Sequence, residues 1–209
     1  MRKVLFLLFI VSIISSCRKD VAIPEGNDFE GTATPVVPFV PLTVGSFWVY
    51  DYYLLDTNGI ETYMNSDTMR IIKDSIINGH AYSVFKGSYE RKCTNCISLR
   101  RDSLGYLVNE NGFIYFSATN FSDTLENFSD STQLFYFKMT HKDSLISVPA
   151  GVFPVYDYER ILHYYLDLRP PQRCHYFYSY GVGIVKTQWK YYAPPNYNAA
   201  KLVNYYIAP

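Results

Sequence analysis

No stretch of this 209-residue chain carries the 3.6-residue apolar stripe of a long helix. Gly-x-Ser-x-Gly, His-Glu-x-x-His and the P-loop pattern are all missing, so nothing announces the chemistry those motifs serve. Charge of neither sign is in excess. Nineteen Lys and Arg stand against nineteen Asp and Glu, which leaves no basic surplus for nucleic-acid phosphates. Histidine and cysteine are scarce, at four each, and the only long apolar run lies at the N-terminus. What the chain has in abundance is rings: 21 Tyr, 14 Phe and 2 Trp. An apolar share of 48% excludes a wholly disordered polypeptide, and the length suits one domain or one domain with a tether.

Arg2 and Lys3 precede an unbroken apolar run from Val4 to Val11, extended past Ser12 by Ile13 and Ile14. This is a positive n-region and an h-region too short to span a bilayer as a mature helix. Ile14-Ser15-Ser16-Cys17 follows, and it resembles a bacterial lipobox: a branched apolar residue, two small ones, then the cysteine whose thiol accepts diacylglycerol. Residues 1–16 are thus expected to be a lipoprotein signal peptide and Cys17 the lipidated first residue of the mature chain. Cleavage removes Arg2 and Lys3, leaving 17 basic against 19 acidic residues, so attachment to the membrane rests on lipid chains and not on charge. The expected place is the bacterial cell envelope, at the outer membrane.

Residues 17–40 read as a tether. Pro24, Pro35, Pro38, Gly26 and Gly31 interrupt every periodicity in it, and its flexible part would span about 26 Å root-mean-square and roughly 75 Å fully stretched. From Pro41 to Pro209 the signals are those of strands, and a single all-β domain is expected. Ser46–Leu55 is aromatic and β-branched. Thr68–Ile77 and Ala81–Tyr89 flank Asn78-Gly79, and Tyr106–Val108 and Phe113–Phe116 flank Asn111-Gly112, both hairpin signals. Ser98–Arg101 ahead of a reversal at Asp102–Gly105, then Gln133–Met139, Ser144–Val148, Val155–Ile161, His175–Tyr180, Ile184–Tyr191 and Lys201–Ile207 complete the set, with room for one short helix within Asn120–Asp130. Ten to twelve short strands make an antiparallel meander, curled into a barrel, half-barrel or sandwich.

An ordered series of motifs runs through this domain: Pro41-Leu42-x-Val44-Gly45-x-x-Trp48-x-Tyr50, Asn78-Gly79-x-x-Tyr82, Arg101-Asp102 with Gly105, Val148-Pro149-Ala150-Gly151-x-Phe153, and Tyr180-Gly181-Val182-Gly183-Ile184-Val185-Lys186. The series resembles a family of secreted bacterial lipoproteins. Val152 departs from it, standing where the family more often has Thr. The resemblance implies an all-β envelope domain and brings no activity and no cofactor with it. Gly151 suits a bulge or corner, and Gly181 and Gly183 a turn or kink, whereas a phosphate cradle would need a helix N-terminus.

Beyond Cys17, three cysteines remain. An exported chain permits one disulfide and one odd thiol, so Cys93 could bridge Cys96, or either could reach Cys174. Cys93, Cys96, Cys174 and His175 have the ligand types for zinc, but adjacent Cys174 and His175 point to opposite faces of a strand, and no metal site is expected. Asp157 and Glu159 share a strand face about 7 Å apart, a spacing compatible with an inverting glycosidase. Catalysis there is a distant alternative to an ion-paired polar face.

Seven of twelve Asp residues are followed by Ser or Thr, where about two would be expected by chance. Six of these pairs resemble an O-glycosylation acceptor triplet, with acceptors Thr68, Ser75, Ser103, Thr124, Ser131 and Ser144. Turn chemistry accounts for the same pairs. Alternation places Trp48, Tyr50 and Tyr52 on one face of their strand, and Tyr176, Tyr178 and Tyr180 on one face of another. Either packing takes both faces of these strands, or one aromatic face meets a lipid, a glycan or an envelope protein. A non-enzymatic envelope lipoprotein that binds through such a face is the function expected, with a structural subunit of an outer-membrane assembly as the alternative. Replacing Cys17 with Ala should abolish incorporation of labelled palmitate in the producing cells, and undiminished label would remove the lipoprotein reading.

Overall fold

The computed structural model describes residues 39–90, 93, 95–165, 170–190 and 197–209. The expected signal segment, Cys17 and the tether up to residue 38 lie outside the described residues. Twelve antiparallel strands form one nearly closed barrel: β1 (Phe47–Leu55), β2 (Glu61–Ile77), β3 (His80–Lys86), β4 (Ile97–Ser103), β5 (Tyr106–Val108) and β6 (Ile114–Ser117), then β7 (Glu126–Ser129), β8 (Gln133–Val148), β9 (Gly151–Tyr164), β10 (Gln172–Ser179), β11 (Gly183–Lys190) and β12 (Tyr197–Tyr206). No helix occurs among the described residues. The order in the sheet is β6-β5-β4-β3-β2-β1-β12-β11-β10-β9-β8-β7. Every neighbour is thus a neighbour in sequence except β1 and β12, which pair along their whole length, Phe47 opposite Tyr206 and Leu55 opposite Tyr197. The free edges are β6 and β7, at the middle of the chain.

The turns follow from local chemistry. Asn78 (φ 51°) and Gly79 (φ 80°) both take left-handed angles, as a two-residue hairpin turn requires. At Asn111-Gly112 only the glycine does (φ 80°), because Asn109 Oδ1 accepts from the N–H groups of both Asn111 and Phe113 and builds a longer loop. The Asn120–Asp130 stretch is not helical. The side chain of Asn120 accepts from the backbone N–H groups of Ser122 and Asp123, which bends the chain, and β7 follows. Where two strands were expected between Gln133 and Val148 there is one, because β8 bulges at His141 and near Asp143 (φ 62°) without leaving β9. The polar run Thr140–Asp143 reads as a break but is absorbed by the bulge. Strand β2 begins seven residues before Thr68, its polar first half pairing with Val49–Leu55 of β1.

Rings fill the interior. Trp48 stacks on Phe85 with centroids 6.0 Å apart, and its Nε1 donates to the Val182 carbonyl at 2.6 Å. Tyr50 donates to the Ile184 carbonyl at 2.8 Å, so β1 is bonded to β11 and the turn before it through side chains as well as through β12. Phe39 and Val40, placed in the tether by the sequence reading, are buried in the core. Phe39 sits among Phe116, Tyr156 and Tyr180 with centroids 4.7–5.4 Å apart.

One close approach is set by a missing side chain. Gly87 (φ 102°) follows β3, and a Cβ there would lie 2.5 Å from the Thr68 carbonyl oxygen and 2.9 Å from Met69 Cα. Backbone cannot yield as a flexible side chain does, and the angle is itself strained for an L residue. Gly87→Ala should therefore destabilise the domain by at least about 2 kcal/mol, readable as a lowered urea midpoint with an unchanged slope.

Candidate functional site

A cavity of about 350 Å³ opens between the β5–β6 hairpin and strands β8 to β10. Alternation explains its walls: Tyr176 and Tyr178 from β10 and Tyr158 and Arg160 from β9 share one face of the sheet, and Phe137 of β8 lies opposite Arg160 in register. Phe113 and Tyr115 close it from the hairpin side, with Tyr89 and Glu90 from the segment after β3. Phe137 stacks on Tyr158 at 5.7 Å and meets Phe113 edge-on at 5.1 Å. Burial pushes the hydroxyls of Tyr158, Tyr176 and Tyr178 well above the ordinary tyrosine range, so each is a neutral donor. Tyr158 donates to the Ile114 carbonyl, Tyr178 to the Tyr115 carbonyl and Tyr176 to Glu90 Oε1 at 2.7 Å.

Two guanidinium groups attend this cavity. Arg160 lines it, and its Nη2 donates to Cys174 Sγ at 3.2 Å. Arg100, 4% exposed, lies over the rings of Phe85, Tyr89 and Tyr115 at 4.8–5.1 Å, so it sits behind two of the lining rings. Burial opposes the charge of Arg100, but the surrounding hydroxyls of Tyr89, Tyr178, Tyr115 and Tyr50 hold its pKa above the ordinary value. Neither arginine was singled out in the sequence. The signal for Arg160 was present, since Tyr156, Tyr158 and Arg160 stand at i, i+2 and i+4 on one strand face. No such signal marks Arg100, where Ser98–Arg101 reads as a strand with two adjacent arginines.

Of the six rings proposed as a ligand face, the structure brings Tyr176 and Tyr178 to the cavity. Trp48, Tyr50 and Tyr52 do not reach it: all three are buried in the core, with Tyr52 donating to the Ser88 carbonyl. Tyr180 leaves the strand at the β10–β11 turn and is 65% exposed, because alternation ends where the strand ends. Cys93 and Cys96 form a disulfide in the loop between β3 and β4, and Cys174 is a buried free thiol. The glycosylation candidates Thr68, Ser75 and Ser103 are half-buried, and Thr124, Ser131 and Ser144 are exposed. Asp102 and Asp130 use their carboxylates as turn acceptors, from Gly105 and from Thr132 and Gln133.

Asp157 and Glu159 lie on the opposite face of β9 from Tyr158 and do not face the cavity. Asp157 Oδ2 pairs with His175 Nδ1 at 2.9 Å, with Thr140 Oγ1 at 3.2 Å and more distantly with His141 at 4.0 Å. Glu159 Oε1 accepts from Arg173 at 2.6 Å and lies 3.9 Å from His175 Nε2. Among the described residues no three metal-ligating side chains converge. The hydrogen bond to Asp157 raises the His175 pKa above its ordinary 6.5, against the opposing effect of burial. A raised folded-state value means that the stability His175 contributes is full below about pH 6.5 and is lost as the pH climbs through that value. Melting temperature should fall in part as the pH rises above about 6.5, and His175→Gln should flatten that limb of the profile.

No family model matches the chain, and a search of curated proteins finds no match. Among solved structures, a Bacteroides fragilis protein described as exported and of YmcC-like fold aligns over 80% of this chain and 98% of its own, with a TM-score of 0.53 and 12% identity. A Parabacteroides distasonis protein described as a lipoprotein aligns over 81% and 99%, with a TM-score of 0.45 and 12% identity. The first shares the fold of this chain.

Proposed function

We propose that this chain is a lipid-anchored lipoprotein of the bacterial cell envelope, at the outer membrane, and that its barrel binds a small ligand without catalysing a reaction. The observation that carries the reading is the cavity of about 350 Å³ walled by rings and two polar edges, a size and composition typical of small-molecule sites. Its walls are donated by five separate segments of the chain, so its shape is a product of the whole fold. Support for the anchor is the sequence from Arg2 to Cys17, and the fold shared with an exported protein agrees with passage across a membrane.

The described lining of the cavity supports binding without chemistry. Three hydroxyls of the cavity, those of Tyr158, Tyr176 and Tyr178, are committed to carbonyls or to Glu90, and the paired carboxylates Asp157 and Glu159 are engaged elsewhere. The protein should therefore be extracted intact in mild detergent and its bound small molecules released by solvent and weighed. A compound approaching one per chain in the wild type, and lost from Asn111→Trp, is the expected result. Asn111 is exposed at the cavity rim, so the larger ring blocks entry without entering the core. A stoichiometric protein partner with no small molecule would instead favour the subunit of an assembly and sink the binding reading.

A further inference from the structure

Buried guanidinium N–H groups at this cavity lack partners. The Nε of Arg160, on the cavity wall, makes no hydrogen bond, and neither does the Nε of Arg100 behind the rings. No carboxylate stands within ion-pair distance of either guanidinium among the described residues. Among the described residues the one acidic side chain lining the cavity, Glu90, already accepts from Tyr176 and acts on Arg160 only at longer range. Faces and hydroxyl oxygens of the surrounding rings hold the charge of Arg100, with no carboxylate among these partners. Buried cations are normally paired, because an unpaired one keeps most of its desolvation cost. Two arginines and one committed carboxylate leave this site short of negative charge.

We infer that the ligand of this cavity is a compact organic anion, with its acid group at Arg160 and an apolar or ring-bearing body between Phe113, Phe137 and Tyr158. The inference rests on the cavity being a ligand site at all. The planar fork of Arg160 suits a carboxylate or phosphate, and Arg100 adds a second positive charge from below. The stacked and edge-on rings suit a flat or hydrocarbon body.

A matched pair of fluorescent probes separates the two ideas on the full chain: anilinonaphthalene sulfonate, and N-phenyl-naphthylamine, the same skeleton without the acid. The anionic probe should bind at least about tenfold more tightly, and Arg160→Gln should erase that preference while the neutral probe binds as before. Arg160→Lys, which keeps the charge, should retain most of the preference. Both signals should vanish in Asn111→Trp. Displacement of the anionic probe by laurate would identify an acyl source, and displacement by phenylacetate a soluble ring acid; failure of both would overturn the inference. So would equal binding of the two probes, which would leave an apolar pocket standing. If neither probe binds, or if both survive the rim block, the cavity reading falls as well.

Discussion

An unpaired edge governs the interior of this barrel. The meander is joined through β1 and β12, so the break falls at β6 and β7, and β6 must satisfy its outward backbone groups without a neighbouring strand. Side chains take that role. Tyr158 and Tyr178 cross the interior to donate to the carbonyls of Ile114 and Tyr115, and Glu126 accepts from the Ile114 N–H at 2.6 Å. A tyrosine reaches farther than a strand partner and occupies less of the edge. The two sides are consequently held a ring's length apart, and the space between them is the cavity. Closure by a backbone ladder would have removed it.

The wealth of tyrosine is explained by the same constraint. A phenylalanine could fill the volume, but only a ring with a hydroxyl can fill it and also meet a distant carbonyl. Tyr50 does this for Ile184, Tyr52 for Ser88 and Tyr178 for Tyr115. The rings are internal struts as much as core. Arg100 belongs to this arrangement: a cation enclosed by four tyrosines and a phenylalanine is tolerable because their faces and oxygens stabilise it together.

The all-β class, the strand periodicity and the Asn78-Gly79 turn were legible because each is local: alternation over a few residues, or two positions needing positive φ. Long-range closure was not. Which of two aromatic faces meets solvent depends on which strands lie opposite, and Trp48 and Tyr178 look alike until β11 and β6 are in place. The bulge in β8 hid a long strand behind four polar residues, and the polar start of β2 hid another. Arg100 was invisible because an inward arginine in a short strand is intelligible only beside the rings that enclose it. Asp157 and Glu159 were found as a pair, but their partners His175 and Arg173 follow from the register between β9 and β10, which no turn motif between those strands sets.

The pairing of β1 with β12 carries a consequence for the order of assembly. Trp48 and Tyr50 bond to carbonyls 134 residues later, and β12, which completes the middle of the sheet, follows all the other described strands in chain order. Until the C-terminal segment arrives, β1 has one flank bare and its two largest rings have no acceptors. Such a ribbon cannot lock prematurely, and its closure waits on contacts of high sequence separation.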